Sequence, residues 1–123
     1  MKAWLAAAAI NGFLAVAAGA FAAHALQSRI EVRGLQVFDT GARYQMFHAL
    51  AIGLAAFAMH GAAARPAKIA AWLFLAGIVL FSGSLYALAL SDIRAFGFVT
   101  PVGGMAFLAG WLALAWTAMR LPR

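Results

Sequence analysis

Apolar residues run through this chain in four long blocks, about 3–25, 43–61, 67–90 and 100–119, and the short segments between them hold most of the charge. Each block is about as long as the roughly 20 residues a helix needs to cross a hydrocarbon core at about 1.5 Å per residue. Polar residues inside the blocks are few, and they gather. Asn11 and, near its end, His24 interrupt the first block, Arg43, Tyr44, Gln45 and His48 crowd the start of the second, Ser82, Ser84 and Tyr86 form a patch in the third, and Thr100 opens the fourth. The pattern predicts an all-α integral membrane four-helix bundle with antiparallel neighbours, a single membrane domain covering residues 1–123.

The one long connection, about 27–42, sets Ile30, Leu35, Val37 and Phe38 beside Arg29, Glu31, Arg33 and Asp39. Alternation of this kind suits a short helix lying flat at the interface. Asp39 or Thr40 would then cap the span that begins at Arg43, a side-chain oxygen accepting one of its free backbone N–H groups. Between spans two and three, Pro66 is expected at a first helical position, and Thr100-Pro101 reads as an N-cap followed by proline at the start of span four. The opening Met1-Lys2-Ala3-Trp4 and the alanine-rich run to Ala25 imitate a secretory leader, but the run is longer than a leader core and is expected to stay as span one.

Small residues recur at helical spacing. Ala8, Gly12, Ala15, Gly19 and Ala22 fall within about 80° of one another at about 100° per residue, and Gly103, Ala106, Gly110, Ala113 and Thr117 make a second stripe. Such stripes let helix backbones approach closely in lipid. Gly12, Gly19, Gly103 and Gly110 are the expected helix-packing positions.

Composition narrows the reading further. With 67% hydrophobic and 10% charged residues in 123, the chain departs from the roughly half-apolar, quarter-charged makeup of a soluble domain. The net charge of +6 would raise nucleic acid as a partner, but the cations are dispersed at helix ends instead of forming one basic face, so membrane lipids are the expected partner and nucleic acid is not. The absence of cysteine excludes disulfides and thiolate metal sites. Lys2, Arg65, Lys68, Arg120 and Arg123 flank the spans on one side, against Arg29, Arg33, Arg43 and Arg94 on the other, where Glu31, Asp39 and Asp92 also lie. The positive-inside rule places both termini in the cytoplasm.

With that topology His24, Arg43, Tyr44, Gln45, His48, Ser82, Ser84, Tyr86 and Thr100 share the outer half of the bilayer and form the candidate polar site. The plain account is structural: Arg43 and Tyr44 anchor among headgroups while Gln45 and His48 bond to neighbouring helices. Three functional accounts compete with it. A solute or ion pathway in an oligomer would be lined by Asn11, His48, Ser82 and Tyr86, although no acidic residue lies within a span. His24 and His48 would serve as axial haem ligands or part of a metal site, but two histidines alone are a weak signal and no cofactor is assigned. Arg43, Tyr44 and the flat loop would hold an anionic lipid headgroup. No nucleophile motif appears, and Asp39 and Asp92 belong to loops, so the chain is not read as an enzyme. The leading reading is a non-enzymatic packing or accessory protein that forms homo-oligomers or binds another membrane complex.

Four ordered segments, Gly19 to Leu26, Thr40 to Ala51, Phe81 to Leu88 and Thr100 to Trp111, resemble the small multi-span membrane-protein family known as domain of unknown function 423, to which mammalian transmembrane protein 256 is similar. The likeness spans nearly the whole chain. It implies a multi-pass protein of the bacterial inner (plasma) membrane and offers no catalytic residue to carry over. Ala22 stands where a glycine is expected in the first of these segments, a change of little consequence at a position that only permits close packing.

Overall fold

The computed structural model describes residues 1–123 and is helical throughout, with no strand. Four rods follow one another: α1 Lys2–Leu26, α2 Val32–Phe57, α3 Gly61–Ser91 and α4 Arg94–Arg120. Short links turn the chain back each time. Gly61 takes a positive φ of 55° at the start of α3, and Asp92 ends α3 in the left-handed region at φ 59°, donating its N–H to Leu88 O at 2.8 Å.

Three of the rods, α1, α3 and α4, are long and apolar enough to cross a membrane; α2 is not among them. Burial explains why α2 differs. Ten of its residues are buried, Gln45 and His48 among them, because α1 and α3 pack along its two sides. Its polar groups therefore sit against protein, while Phe47, Leu50, Leu54 and Phe57 stay exposed on an outer apolar stripe. Next, α4 packs along α3 and touches α2 only sparsely, and α1 and α4 share no extended packed face. The helices thus stand in the order α1, α2, α3, α4.

Residues 27–42 do not form a separate interfacial helix. One helix runs unbroken from Val32 to Phe57, because Phe38, Gly41, Ala42, Gln45, His48, Ala49 and Ile52 continue a single buried face at helical spacing. Phe38 packs with Ala22 and Leu26 of α1, and its ring lies 4.7 Å from that of Tyr86 on α3. Neither Asp39 nor Thr40 caps anything: Thr40 donates to Gln36 O at 2.9 Å within the helix, and Asp39 pairs with Arg43 at 3.2 Å. Thr100 likewise is no N-cap, since a 3₁₀ turn at Arg94–Phe98 leads into it.

The main core gathers Ala8, Ala51, Ile52, Ala55, Ala70, Ala71, Phe74, Ile78, Phe107 and Ala113. Alanine dominates because close backbones leave little room for side chains. At Gly103 an added Cβ would lie 2.7 Å from Leu80 C and Phe81 Cα, and at Gly110 it would lie 2.7 Å from the Phe74 ring. On α1 the close packing runs through buried Ala8, Ala15 and Ala22; at Gly12 and Gly19 a Cβ would meet nothing within 4 Å.

Candidate functional site

Three helices meet in a polar relay. Asn11 on α1 donates its Nδ2–H to its own helix at Ala7 O, 2.9 Å away, which fixes the amide so that Oδ1 faces α2. Gln45 on α2 donates Nε2–H to that oxygen at 3.1 Å, and Tyr86 on α3 donates its hydroxyl to Gln45 Oε1 at 2.7 Å. Asn11 and Gln45 each use both ends of the amide, one as donor and one as acceptor. Gly41 lets this happen: a Cβ there would stand 2.9 Å from Tyr86 Cε1.

A second junction lies one turn further along α2. His48 is 3% exposed, its Nδ1 is 2.7 Å from Tyr44 O, and its Nε2 is 3.1 Å from Trp111 Nε1 on α4. An indole N–H can only donate and a carbonyl can only accept. His48 is therefore held as the neutral tautomer with its proton on Nδ1. Its ring stacks on Phe107 at 3.5 Å between centroids and 7° between planes. Phe74 packs on the same imidazole at 5.7 Å.

The third junction joins α3 to α4. Ser84 donates to Phe81 O at 2.8 Å or shares a proton with Thr100 Oγ1 at 2.6 Å. Beside it Ser82, fully buried in a π-helical turn at Ile78–Ser82, has no hydrogen-bond partner for its hydroxyl.

Of the expected polar residues, the structure thus joins Gln45 to Tyr86 and Ser84 to Thr100, and it engages both nitrogens of His48. Tyr44 contributes its carbonyl to His48 and lays its ring against Phe47 and Phe81. Arg43 points outward, bonded to Asp39. His24 is exposed and hydrogen-bonded to nothing, so it does not join His48 as a ligand pair, and both nitrogens of His48 are already spent. No group of three or more His, Cys, Asp or Glu stands close enough to hold a metal. Trp111 was not among the expected polar residues, because its one N–H is small beside its apolar bulk.

Between α2 and α4, where the two helices part, a groove of about 750 Å³ opens outward. Its walls are almost wholly apolar, and His48 lies at its floor beside Phe107.

The family described as "Protein of unknown function (DUF423)" matches residues 18–104. A Bacillus subtilis (strain 168) protein named UPF0382 membrane protein YwdK is 44% identical over 121 residues, 98% of each chain. An Escherichia coli (strain K12) protein named UPF0382 inner membrane protein YgdD is 50% identical, over 94% of this chain and 88% of the relative. A Haemophilus influenzae membrane protein is 43% identical over 91% of this chain and 90% of its own. No solved structure matches.

Proposed function

This chain belongs to the DUF423 family of membrane proteins, and from that premise we propose that it is a non-enzymatic accessory protein of the bacterial inner membrane. It crosses the bilayer four times with both termini in the cytoplasm, and it works by presenting lipid-facing surfaces to other membrane components or to further copies of itself. The observation that carries this reading is the spent polar inventory. Asn11, Gln45, Tyr86, His48, Ser84 and Thr100 all bond to protein. Side chains used as staples between helices are not free to bind a substrate or hand a solute along a path. Of the residues the pathway reading names, only Ser82 keeps an unpartnered group, and its hydroxyl is fully buried between helices, so no chain of free groups runs through the protein.

The four rods support the span count. At about 1.5 Å per residue, α2 is about 39 Å long over its 26 residues, enough for the core with Val32 to Asp39 reaching into the headgroups. The turn at Asp92 and the α1–α2 link lie at one end, the termini and Arg65 at the other.

Because the chain has no cysteine, single engineered cysteines report without background. Cysteines placed at exposed Phe13, Leu54, Val79 and Leu112, one at a time, are crosslinked in native membranes. Recurrent products with one partner or one copy support the accessory reading. Monomer alone at every position, together with liposome flux that falls in Ser82→Ala, overturns it in favour of a pathway. An impermeant thiol reagent on Arg123→Cys and Asp92→Cys tests the orientation, with only the second expected to react from outside.

A further inference from the structure

We infer that the groove between α2 and α4 is a phospholipid site, in which an acyl chain fills the slot while Arg43 holds the phosphate. The inference deepens the accessory reading by naming one membrane component, and it rests on the same placement of α2 across the bilayer.

The groove is lined by Tyr44, Phe47 and Leu50 from α2 and by Met105, Leu108 and Trp111 from α4. Phe47, Leu50, Met105 and Leu108 are exposed, so its rim is made of bulky side chains. A second helix, about 10 Å across, packs where small residues recur and let it approach, and Gly104 is the single glycine in this lining, with no second small residue a turn away to make a strip. A slender, flexible hydrocarbon chain needs no close backbone approach. The slot suits it.

Arg43 supplies the second, independent observation. At about 100° per residue it falls within the arc of α2 spanned by Leu50, Phe47, Tyr44 and His48, one turn nearer the surface than Phe47. From Phe57 to Arg43 the helix rises about 21 Å, short of the roughly 30 Å core. Its side chain is 67% exposed, so it points into lipid at a depth where a guanidinium must reach upward to an anion. Asp39 takes one Nη2–H at 3.2 Å, and no other side chain or carbonyl accepts from Arg43. The remaining fork of donors matches a phosphodiester, the anion present at that level. Tyr44, next to Arg43 in the chain, lines the groove, and its hydroxyl donates to no protein group.

The test uses the full chain in nanodiscs of phosphatidylglycerol carrying a phosphatidylglycerol probe with a mid-chain diazirine. After photolysis, adducts are expected to concentrate on peptides holding Phe47 to Leu50 and Met105 to Leu108. Leu108→Trp, which fills the slot, lowers those adducts about tenfold, whereas Leu112→Trp, exposed on α4 outside the groove lining, leaves them unchanged. In native mass spectra Arg43→Gln retains phosphatidylglycerol about tenfold less well, as expected for loss of a charge-assisted bond, and Arg43→Lys retains part of it. Adducts spread evenly over every exposed helix face overturn the inference, as does unchanged lipid retention in Arg43→Gln. Leu108→Cys crosslinking between copies with no groove adducts also overturns it, and leaves the accessory reading standing.

Discussion

Trp111 and His48 lie 63 positions apart, yet the indole Nε1–H of one donates to the imidazole Nε2 of the other at 3.1 Å. Although α2 and α4 otherwise scarcely touch, this bond and the Phe107 stack tie them together across the floor of the groove. Losing the donor leaves a buried ring nitrogen without a partner. Trp111→Phe keeps most of the aromatic bulk and is expected to destabilise the protein by about 1 kcal/mol, within the range for single interhelical bonds in membranes. Reversible unfolding in mixed micelles measures it. Nitrogen chemical shifts of His48 should show the proton on Nδ1 in the parent chain, and a parent chain protonated at Nε2 would contradict the assignment.

Asn11, Gln45 and Tyr86 act as a unit, so their contributions should not add. Gln45→Leu removes both interhelical bonds, and Tyr86→Phe removes one of them. Each single change is expected to cost about 0.5–1.5 kcal/mol. Once Gln45 is leucine the tyrosine hydroxyl has lost its acceptor, so the double variant should fall short of the sum by about 0.5 kcal/mol or more. Strict additivity in a double-mutant cycle would show that the 2.7 Å contact carries no coupling.

These two junctions were unequally legible. Gln45 and Tyr86 stand out in the sequence because polar groups within apolar blocks must find partners. Their meeting needed only three helices side by side. Trp111 gave no such signal, since a donor on a large apolar ring reads as lipid-facing bulk. The unbroken α2 was hidden for a related reason. Asp39, Thr40, Arg43 and Gln45 look like the mouth of a span, whereas the buried series Phe38, Gly41, Gln45, His48 and Ile52 carries the helix straight through them. Polarity at a boundary and polarity on one face of a continuing helix have the same composition. Only the neighbour decides between them.

The two glycine stripes make that point measurable. Gly103 and Gly12 occupy equivalent places in similar patterns, but α3 backbone crowds the first and open space faces the second. Gly103→Ala forces α4 away from Leu80 and Phe81 and is expected to cost about 2 kcal/mol or more through overpacking. Gly12→Ala should be neutral or stabilising by about 0.5–1 kcal/mol, because alanine favours the helix. Thermal denaturation in one detergent compares them. Equal losses would mean that α1 also packs tightly at Gly12.

Ser82 is the exception within the polar layer: its hydroxyl is fully buried and bonds to nothing. An unpaired buried hydroxyl costs free energy that its methyl counterpart does not. Ser82→Ala leaves a void no larger than one oxygen atom and removes that cost. It is expected to leave stability unchanged or raise it by up to about 1 kcal/mol, the opposite sign from Gln45→Leu. Unfolding midpoints of the two variants, measured side by side with the parent, decide the matter. A loss of 1 kcal/mol or more in Ser82→Ala would mean that the hydroxyl has a partner within the membrane, such as a buried water bridging to the carbonyls of the π-helical turn.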